Sequence, residues 1–340
     1  LPVHPPDPVR FPRLQPTTPA LAGVVLSVLL LAGCAAPPQL AALRQDWPAG
    51  LPARAQVAGV PFHAQPGDTL CGPTTLAMVA QAAGSRATPE SLTPLVYLPG
   101  RQGALQTEML AAARRQGLVA YPLAPTLQVV LSEVASGHPV LVLQNLSLPV
   151  QPMWHYAVVV GYDRQARTIT LHSGTTPRLV LPLATFEHTW ARSSHWALRV
   201  TAPDQLPVTA QPDEWGVAVA SLERSHPQAA RTAYATGLQR WPQHRISQLG
   251  LGNTAYALGQ RDEAARAYEA TTQAHPDFAD AWNNLAQVRL EQGMLDAAQL
   301  AAERAVALGG LRLPDYQALL QDIQRQRATP STQRQQRTSP

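Results

Sequence analysis

The sequence predicts an α+β domain, with helices first and an antiparallel sheet second, followed by an all-α solenoid of repeated helix pairs. Three observations support this. The apolar pattern changes from helical spacing to short strands near Val140. A proline-containing stretch follows the last strand, and beyond it residues recur every 34 positions. We expect the α+β domain over 57–202, a linker over 203–210 and the repeats over 211–326.

Residues 1–34 predict an export signal. Arg10 and Arg13 precede the apolar run 20–32, which is too short to span a bilayer comfortably. The run ends in Leu-Ala-Gly-Cys34, which resembles a bacterial lipobox. The resemblance implies that Cys34 carries a lipid that holds the chain at a membrane. The alternative is an ordinary signal peptide with an incidental cysteine.

The residues after Cys34 indicate where such a lipoprotein would reside. Ala35 and Ala36 follow it, with no aspartate to indicate retention at the inner membrane. We therefore expect an exported protein of the bacterial cell envelope, on the outer membrane facing the periplasm. Residues 35–56 are rich in Ala, Pro and Gln and predict a tether.

The first half of the domain shows helical spacing and helix start signals. Pro73 would lie in the first turn of the first helix, and Gly84 would follow its end. The pattern predicts helices over 69–83, from Thr88-Pro89, from Thr107-Glu108 and over 126–136.

The second half has short apolar runs that predict strands. Residues 163–167 read as a hairpin loop, and a short helix is predicted over 184–191. The predicted strands cover 140–143, 155–162, 168–172, 179–181 and 196–200.

The C-terminal part repeats with a period of 34 residues. Pairs of residues in this register are Leu251 and Leu285, Gly259 and Gly293, Ala264 and Ala298, and Pro242 and Pro276. This spacing of small residues and prolines resembles the tetratricopeptide repeat, which implies a concave groove for a protein partner. We expect clear repeats over 245–278 and 279–312, a degenerate one over 211–244, an end helix over 313–325 and a disordered tail over 327–340.

Composition excludes several classes of function. The net charge is +4 and all basic residues are arginine, so a phosphate-binding Walker loop, which needs lysine, is excluded. The positive charge is spread along the chain and does not indicate nucleic acid binding. No histidines show metal-ligand spacing. We expect no metal and no organic cofactor.

Cys71 is the second of two cysteines and begins a predicted helix. A thiol hydrolase needs a thiolate, a histidine to hold the proton, and donors for the developing oxyanion. The positive end of the helix dipole favours the thiolate, so we expect a lowered Cys71 pKa. Gln65 in the preceding loop is a candidate oxyanion donor. His155 starts a distant strand and is a candidate base.

These residues resemble the bacteriocin-processing peptidases of the papain-like clan, which cleave leader peptides after a double glycine. The matching motifs are Val60-Pro61-Phe62, Gln65, Cys71-Gly72-Pro73 and the strand from His155 to Asp163. The resemblance implies a papain-like fold. It also implies that Cys71 is the nucleophile, His155 the general base and acid, and Gln65 the oxyanion donor.

The third catalytic position departs from that family, which usually carries Asn-Asp-Pro on the following strand. Here the run is Leu171-His172-Ser173-Gly174, without a carboxylate. Allowing a slightly longer hairpin, Ser173 takes the aspartate position. His172 is the alternative. A neutral residue would stabilise an imidazolium less well than a carboxylate does.

We expect an exported, lipid-anchored cysteine peptidase that forms a thioester on Cys71, with repeats that recruit substrate or a protein partner. Two alternatives remain. One is a papain-like binding scaffold with weak or no activity. The other is a peptidoglycan amidase or endopeptidase with His172 as the polar residue, although Leu70 replaces the Asp that usually precedes such a cysteine.

Overall fold

The structure is a computed structural model that describes residues 37–328, apart from Asp68 and Pro149. The predicted signal segment with Cys34, the first two residues of the predicted tether, and residues 329–340 of the predicted tail lie outside the described residues.

The N-terminal domain has helices and strands where the sequence predicted them, together with one helix and two strands that were not predicted. Its helices are α1 (Pro38–Gln45), α2 (Cys71–Ala82), α3 (Pro89–Val96), α4 (Gln106–Arg115), α5 (Leu127–Ala135) and α6 (Leu183–Ala191). Its strands are β1 (Arg54–Gln56), β2 (Val119–Pro122), β3 (Val140–Asn145), β4 (Trp154–Asp163), β5 (Thr168–Ser173), β6 (Thr176–Pro182) and β7 (Ala197–Thr201). Strands β1 and β2 were missed because they are only three and four residues long.

These strands form one antiparallel sheet in the order β2-β7-β3-β4-β5-β6, with β1 paired to the end of β4. Strand β3 pairs with the first half of β4, where Gln144 lies opposite His155. Strand β5 pairs with β4 only from Val158, opposite His172. The first residues of β4 therefore face the helix that begins at Cys71 instead of a neighbouring strand on that side.

Helices cover both faces of the sheet. Side chains of α2, α3 and α4 pack on one face in a core that includes Leu76, Met109 and Val158. Helices α5 and α6 cover the other face, in a core that includes Leu131 and Trp190. All six residues of β3 are buried because this strand lies between the two cores. The predicted α+β architecture is confirmed.

The expectation of a tether is wrong for residues 37–56. Helix α1 buries Leu40 and Leu43 in the domain core. The buried carboxylate of Glu187 accepts the backbone N–H groups of Gln39 and Leu40, at 2.8 and 2.7 Å. A carboxylate at a helix N-terminus satisfies donors that the helix leaves free. The composition resembled a linker, but the apolar residues are spaced to fit this core.

The C-terminal part consists of antiparallel helix pairs and one final helix. The helices are α7 (Pro212–Ala220), α8 (Pro227–Arg240), α9 (Arg245–Ala257), α10 (Arg261–Ala274), α11 (Ala279–Glu291), α12 (Leu295–Leu308) and α13 (Leu313–Ala328). Helices α8, α10 and α12 begin 34 residues apart, as predicted. A side chain at Gly252 would meet the Tyr268 ring at 2.3 Å, so glycine permits the close crossing of α9 and α10.

The predicted linker is docked onto the domain. Glu133 accepts hydrogen bonds from the backbone N–H and the hydroxyl of Thr209, at 2.9 and 2.6 Å. Ala210 is buried, and the core under α5 and α6 continues into Trp215 of α7 and Tyr234 of α8. The first helix pair therefore shares a hydrophobic core with the N-terminal domain.

Within the described part of the chain, no helix has the length and apolar character needed to cross a membrane.

Candidate active site

Cys71 is the first residue of α2 and is only 6% exposed. The helix begins without a side-chain cap, so no side chain occupies the backbone N–H groups of Cys71 and Gly72. Gly72 allows the neighbouring loop to approach, because a side chain there would lie 2.5 Å from Cβ of Ala104. The Cys-Gly-Pro sequence thus places the thiol at the end of a buried helix, beneath a closely packed loop.

The sulfur of Cys71 faces the start of β4. The backbone N–H of Tyr156 donates a hydrogen bond towards it, as do the N–H groups of Gly72 and of Cys71 itself. Since Tyr156 follows His155 directly, this contact places the Cys71 sulfur beside the stretch of β4 that carries the candidate base.

The pKa of Cys71 differs from the expectation of a lowered value. Burial raises the pKa of the thiol, and this effect exceeds the opposite effect of the three backbone N–H groups. The helix N-terminus is present, as predicted, but water is excluded from the sulfur, which disfavours the thiolate. In the unliganded site, formation of a thiolate therefore depends on transfer of the proton to a neighbouring group.

Ser173 contacts His155. The imidazole Nε2 lies 2.9 Å from the Ser173 hydroxyl. Ser173 is the last residue of β5, and the turn after it continues directly into β6. Of the two residues considered for the third position, Ser173 is therefore the one that can orient the imidazole.

The side chain of His172 contacts residues other than His155. It is 4% exposed, its Nδ1 accepts the backbone N–H of Arg178 at 3.1 Å, and its ring packs edge-on against Phe62. It also hydrogen-bonds to the backbone of Val60, while burial lowers the pKa of the imidazole. His172 is packed in the core, so the structure does not bring it to the site.

Gln65 lies in the expected loop, but its side chain is not directed at Cys71. The amide Nε2 donates a close hydrogen bond to the carbonyl of Gly67. The backbone N–H of Gln65 donates to the carbonyl of Gly174 at 3.1 Å, which ties this loop to the turn after Ser173. To serve as an oxyanion donor, the amide would have to leave Gly67 and turn towards the thiol.

Cys71 opens into a cleft of about 640 Å³. Volumes of this size are typical of sites that bind small ligands. One wall comes from the loop before α4 and the other from the residues after α6. The cleft is lined by Thr69, Cys71, Arg101, Gln102, Gly103, Ala104, Leu105, Gln106, Leu143, Pro152, Trp154, Tyr156, Arg192, Ser193 and Ser194.

The sequence analysis did not identify the residues that form the walls of this cleft. Trp154 precedes His155, is 50% exposed and lines the cleft. Arg101 and Arg192 had no local signal, because they lie in loops that only the fold brings together. No group of three or more His, Cys, Asp or Glu side chains in the described ranges is arranged to hold a metal ion.

The two parts of the chain match two different protein families. Residues 56–198 match the family described as Peptidase_C39 like family. Residues 218–260 and 249–311 match the tetratricopeptide repeat. No curated protein matches the chain.

Three solved structures are similar to parts of the chain. A Bacillus anthracis protein described as a C39-like peptidase shares 18% identity and a TM-score of 0.38, over 44% of this chain and 97% of the other. The Sgt2 tetratricopeptide domain of Aspergillus fumigatus shares 23% identity and a TM-score of 0.31, over 34% and 78%. The Yersinia enterocolitica secretion chaperone SycD shares 18% identity and a TM-score of 0.33, over 35% and 95%.

Proposed function

Since the chain combines a Peptidase_C39-like domain with tetratricopeptide repeats, we propose that it is a cysteine peptidase that hydrolyses peptide bonds through a thioester on Cys71. The observation that carries this proposal is the position of Cys71 at the start of α2. Its buried sulfur lies against the backbone N–H of Tyr156, the residue after His155, and the His155 imidazole lies 2.9 Å from the Ser173 hydroxyl.

The arrangement supports a two-step reaction. The Cys71 proton passes to His155, and the sulfur attacks the carbonyl carbon of the scissile bond. Backbone N–H groups at the start of α2 stabilise the oxygen that gains negative charge, and the Gln65 amide joins them if it turns from Gly67. His155 then protonates the leaving amine. In the second step it takes a proton from the water that hydrolyses the thioester.

We propose that the repeats hold a protein partner or the substrate. Tetratricopeptide repeats present concave surfaces suited to peptide segments. Helix α7 shares a hydrophobic core with the domain that carries Cys71. A protein bound by the repeats would therefore stay close to that domain. Pull-down with the Cys71→Ala chain, which would retain substrate, can identify such proteins.

We propose that the chain is an exported lipoprotein of the bacterial outer membrane. The support is the Leu-Ala-Gly-Cys34 motif after a short apolar run. The wild-type chain should enter the detergent phase in Triton X-114 partitioning of bacterial cells, and Cys34→Ala should remain in the aqueous phase. Cys71→Ala is the matched control and should partition like wild type. If Cys34→Ala and wild type partition equally, the lipid anchor is refuted.

A catalytically inactive scaffold is the second candidate, and two observations favour it. Ser173 offers His155 a neutral partner where related enzymes carry a carboxylate. Burial also raises the pKa of Cys71, so the thiol is protonated unless His155 takes the proton. Such a protein would bind peptides in the cleft without cleaving them.

Hydrolysis by the purified chain tests these functions. Casein is an unstructured protein substrate, and purified peptidoglycan tests the amidase alternative. Release of casein peptides, identified by mass spectrometry, supports the peptidase. Release of muropeptides alone would replace it with the amidase, and no release from either would favour the scaffold.

Substitutions of Ser173 measure what the neutral partner contributes. Ser173→Asp should keep or raise kcat, because a charged acceptor makes the hydrogen bond to His155 about twice as strong. Ser173→Ala should lower kcat by about 2- to 12-fold, the equivalent of one neutral hydrogen bond. Casein peptide release at equal folded concentration gives both values.

His172→Ala provides the control for position. His172 is buried against Phe62, so its loss should lower the melting temperature but change kcat of the folded protein less than Ser173→Ala does. A larger fall in kcat for His172→Ala, measured well below its melting temperature, would contradict the assignment of Ser173.

A further inference from the structure

The cleft that opens at Cys71 has two arginines in its walls. Arg101 comes from the loop between α3 and α4, and Arg192 from the residues after α6. None of the described residues that line the cleft is acidic, and Asp68, close to Thr69 in sequence, lies outside the described residues. The described residues that line this cleft therefore carry a net positive charge.

Arg101 is exposed on a loop that is held firmly against the site. The loop is closed by an isolated bridge between Leu98 and Gly103. Gln102 at its tip has a left-handed backbone with φ of 49°, an unfavourable conformation for a residue with a side chain. The Tyr156 hydroxyl donates to the carbonyl of Ala104 at 3.4 Å. Arg101 is thus positioned beside the cleft by its backbone.

Arg192 is fixed from the opposite side. Its Nη1 donates to the carbonyls of Asn145 and Ser147, at 3.2 and 2.7 Å. These acceptors hold the guanidinium in place but do not neutralise its charge. Among the described residues, neither Arg192 nor Arg101 has an acidic side chain within 4.0 Å.

Several exposed arginines elsewhere in the chain have acidic partners. Arg54 pairs with Asp163 at 2.7 Å, Arg261 with Glu291 at 2.6 Å, and Arg312 with Asp280 at 3.0 Å. Two uncompensated guanidinium groups in one cleft concentrate positive potential at the thiol, because low-dielectric walls focus the field. Arginine also offers the planar pair of donors that matches a carboxylate.

We propose that the cleft selects substrates that carry a carboxylate close to the scissile bond, and that Arg101 and Arg192 are the residues that bind it. This inference rests on the proposed peptidase function for its biological meaning. The carboxylate can belong to an Asp or Glu side chain or to the C-terminus of the substrate. Trp154 offers an apolar contact in the same cleft for the rest of the peptide.

Alkylation of Cys71 tests the charge of the cleft without requiring peptidase activity. The Cys34→Ala chain has Cys71 as its single thiol. Rates are measured with iodoacetate, which is an anion, and with iodoacetamide, its neutral analogue. The ratio of the two rates removes effects of thiol pKa and access. We expect the ratio for Cys71 to exceed that for glutathione.

Arginine variants then identify the source of the preference. Arg101→Gln and Arg192→Gln should each lower the iodoacetate-to-iodoacetamide ratio by about 2- to 5-fold at low salt, the range for a partly exposed charge pair. Arg101→Lys should keep most of the ratio. Arg164→Gln, an exposed arginine stacked over Trp47 outside this cleft, is the matched control and should change nothing. Unchanged ratios in both cleft variants would overturn the proposal.

Peptides distinguish the two sources of the carboxylate. Casein segments that the chain cleaves are synthesised with Glu or Gln beside the scissile bond, each with a free or an amidated C-terminus. A higher kcat/KM for the Glu peptides, or for the free C-termini, that Arg101→Gln abolishes supports the proposal and names the source.

These experiments distinguish failure of the carboxylate preference from failure of the peptidase function. Equal cleavage of all four peptides would overturn the carboxylate preference and leave the peptidase function intact. If no casein segment is cleaved, the peptidase function fails, and the alkylation ratios still decide whether the cleft binds carboxylates.

Discussion

Replacing Cys71 with alanine should abolish hydrolysis of casein, and replacing His155 should lower it almost as far. We expect each rate to fall by on the order of 10⁴- to 10⁶-fold, because nucleophile and base act as one unit and loss of either removes most of its effect. The structure gives a specific reason to expect a severe effect at His155. Burial raises the pKa of Cys71, so without a base the thiol stays protonated near neutral pH.

Release of casein peptides measures this loss, with circular dichroism as the check on folding. Arg164→Gln is a suitable control because it changes an exposed side chain outside the cleft, and it should retain the wild-type rate. The double variant Cys71→Ala/His155→Ala should be no slower than either single variant. Full activity of Cys71→Ala would end the peptidase proposal, since that substitution removes the sulfur that must form the thioester.

Replacing Trp215 with alanine should lower the free energy of unfolding of the whole chain by about 3–5 kcal/mol, the usual cost of deleting a buried tryptophan. Trp215 is fully buried, its ring lies 6.2 Å from that of Tyr121 in β2, and its Nε1 donates to the Ala233 carbonyl at 3.0 Å. The side chain thus contacts both the peptidase domain and the second helix of the first repeat.

Urea denaturation followed by circular dichroism tests this prediction. Val217→Ala is the matched control, because Val217 lies on the same helix and is 70% exposed, so its loss should change stability by less than about 0.5 kcal/mol. We expect one transition for wild type and a lower urea midpoint for Trp215→Ala. If the variant instead loses only the repeats in a separate early transition, the shared core contributes little to the peptidase domain.

Much of the architecture could be predicted because its signals are local. The change from helical spacing to short apolar runs near Val140 reflects residues that are neighbours in the same element. The 34-residue period reflects contacts between adjacent helix pairs, so each repeat carries its own small residues and prolines. The Cys71-Gly72-Pro73 sequence likewise predicts its own position, at the start of a helix, as observed.

Several features of the site depended on tertiary structure. Whether Ser173 or His172 meets His155 depends on the hairpin between β4 and β5, where the pairing shifts between Val159 and Gly161. A shift of one residue reverses the direction of every following side chain, and no local pattern reveals it. Only the fold shows that Gln65 is bonded to Gly67.

Burial explains two further differences between the predictions and the structure. The helix start at Cys71 suggested a lowered pKa, but the packing of the loop around Ala104 keeps water from the sulfur and raises it. Residues 37–56 have the composition of a tether, yet Glu187, about 150 positions away in the chain, anchors the helix that they form.

The sequence by itself determined the fold class, the repeats and the candidate nucleophile and base, because these depend on spacing along the chain. The tertiary structure decided the partner of His155, the pKa of Cys71 and the charge of the cleft. Each of these depends on distances and solvent exclusion between residues that are far apart in the sequence.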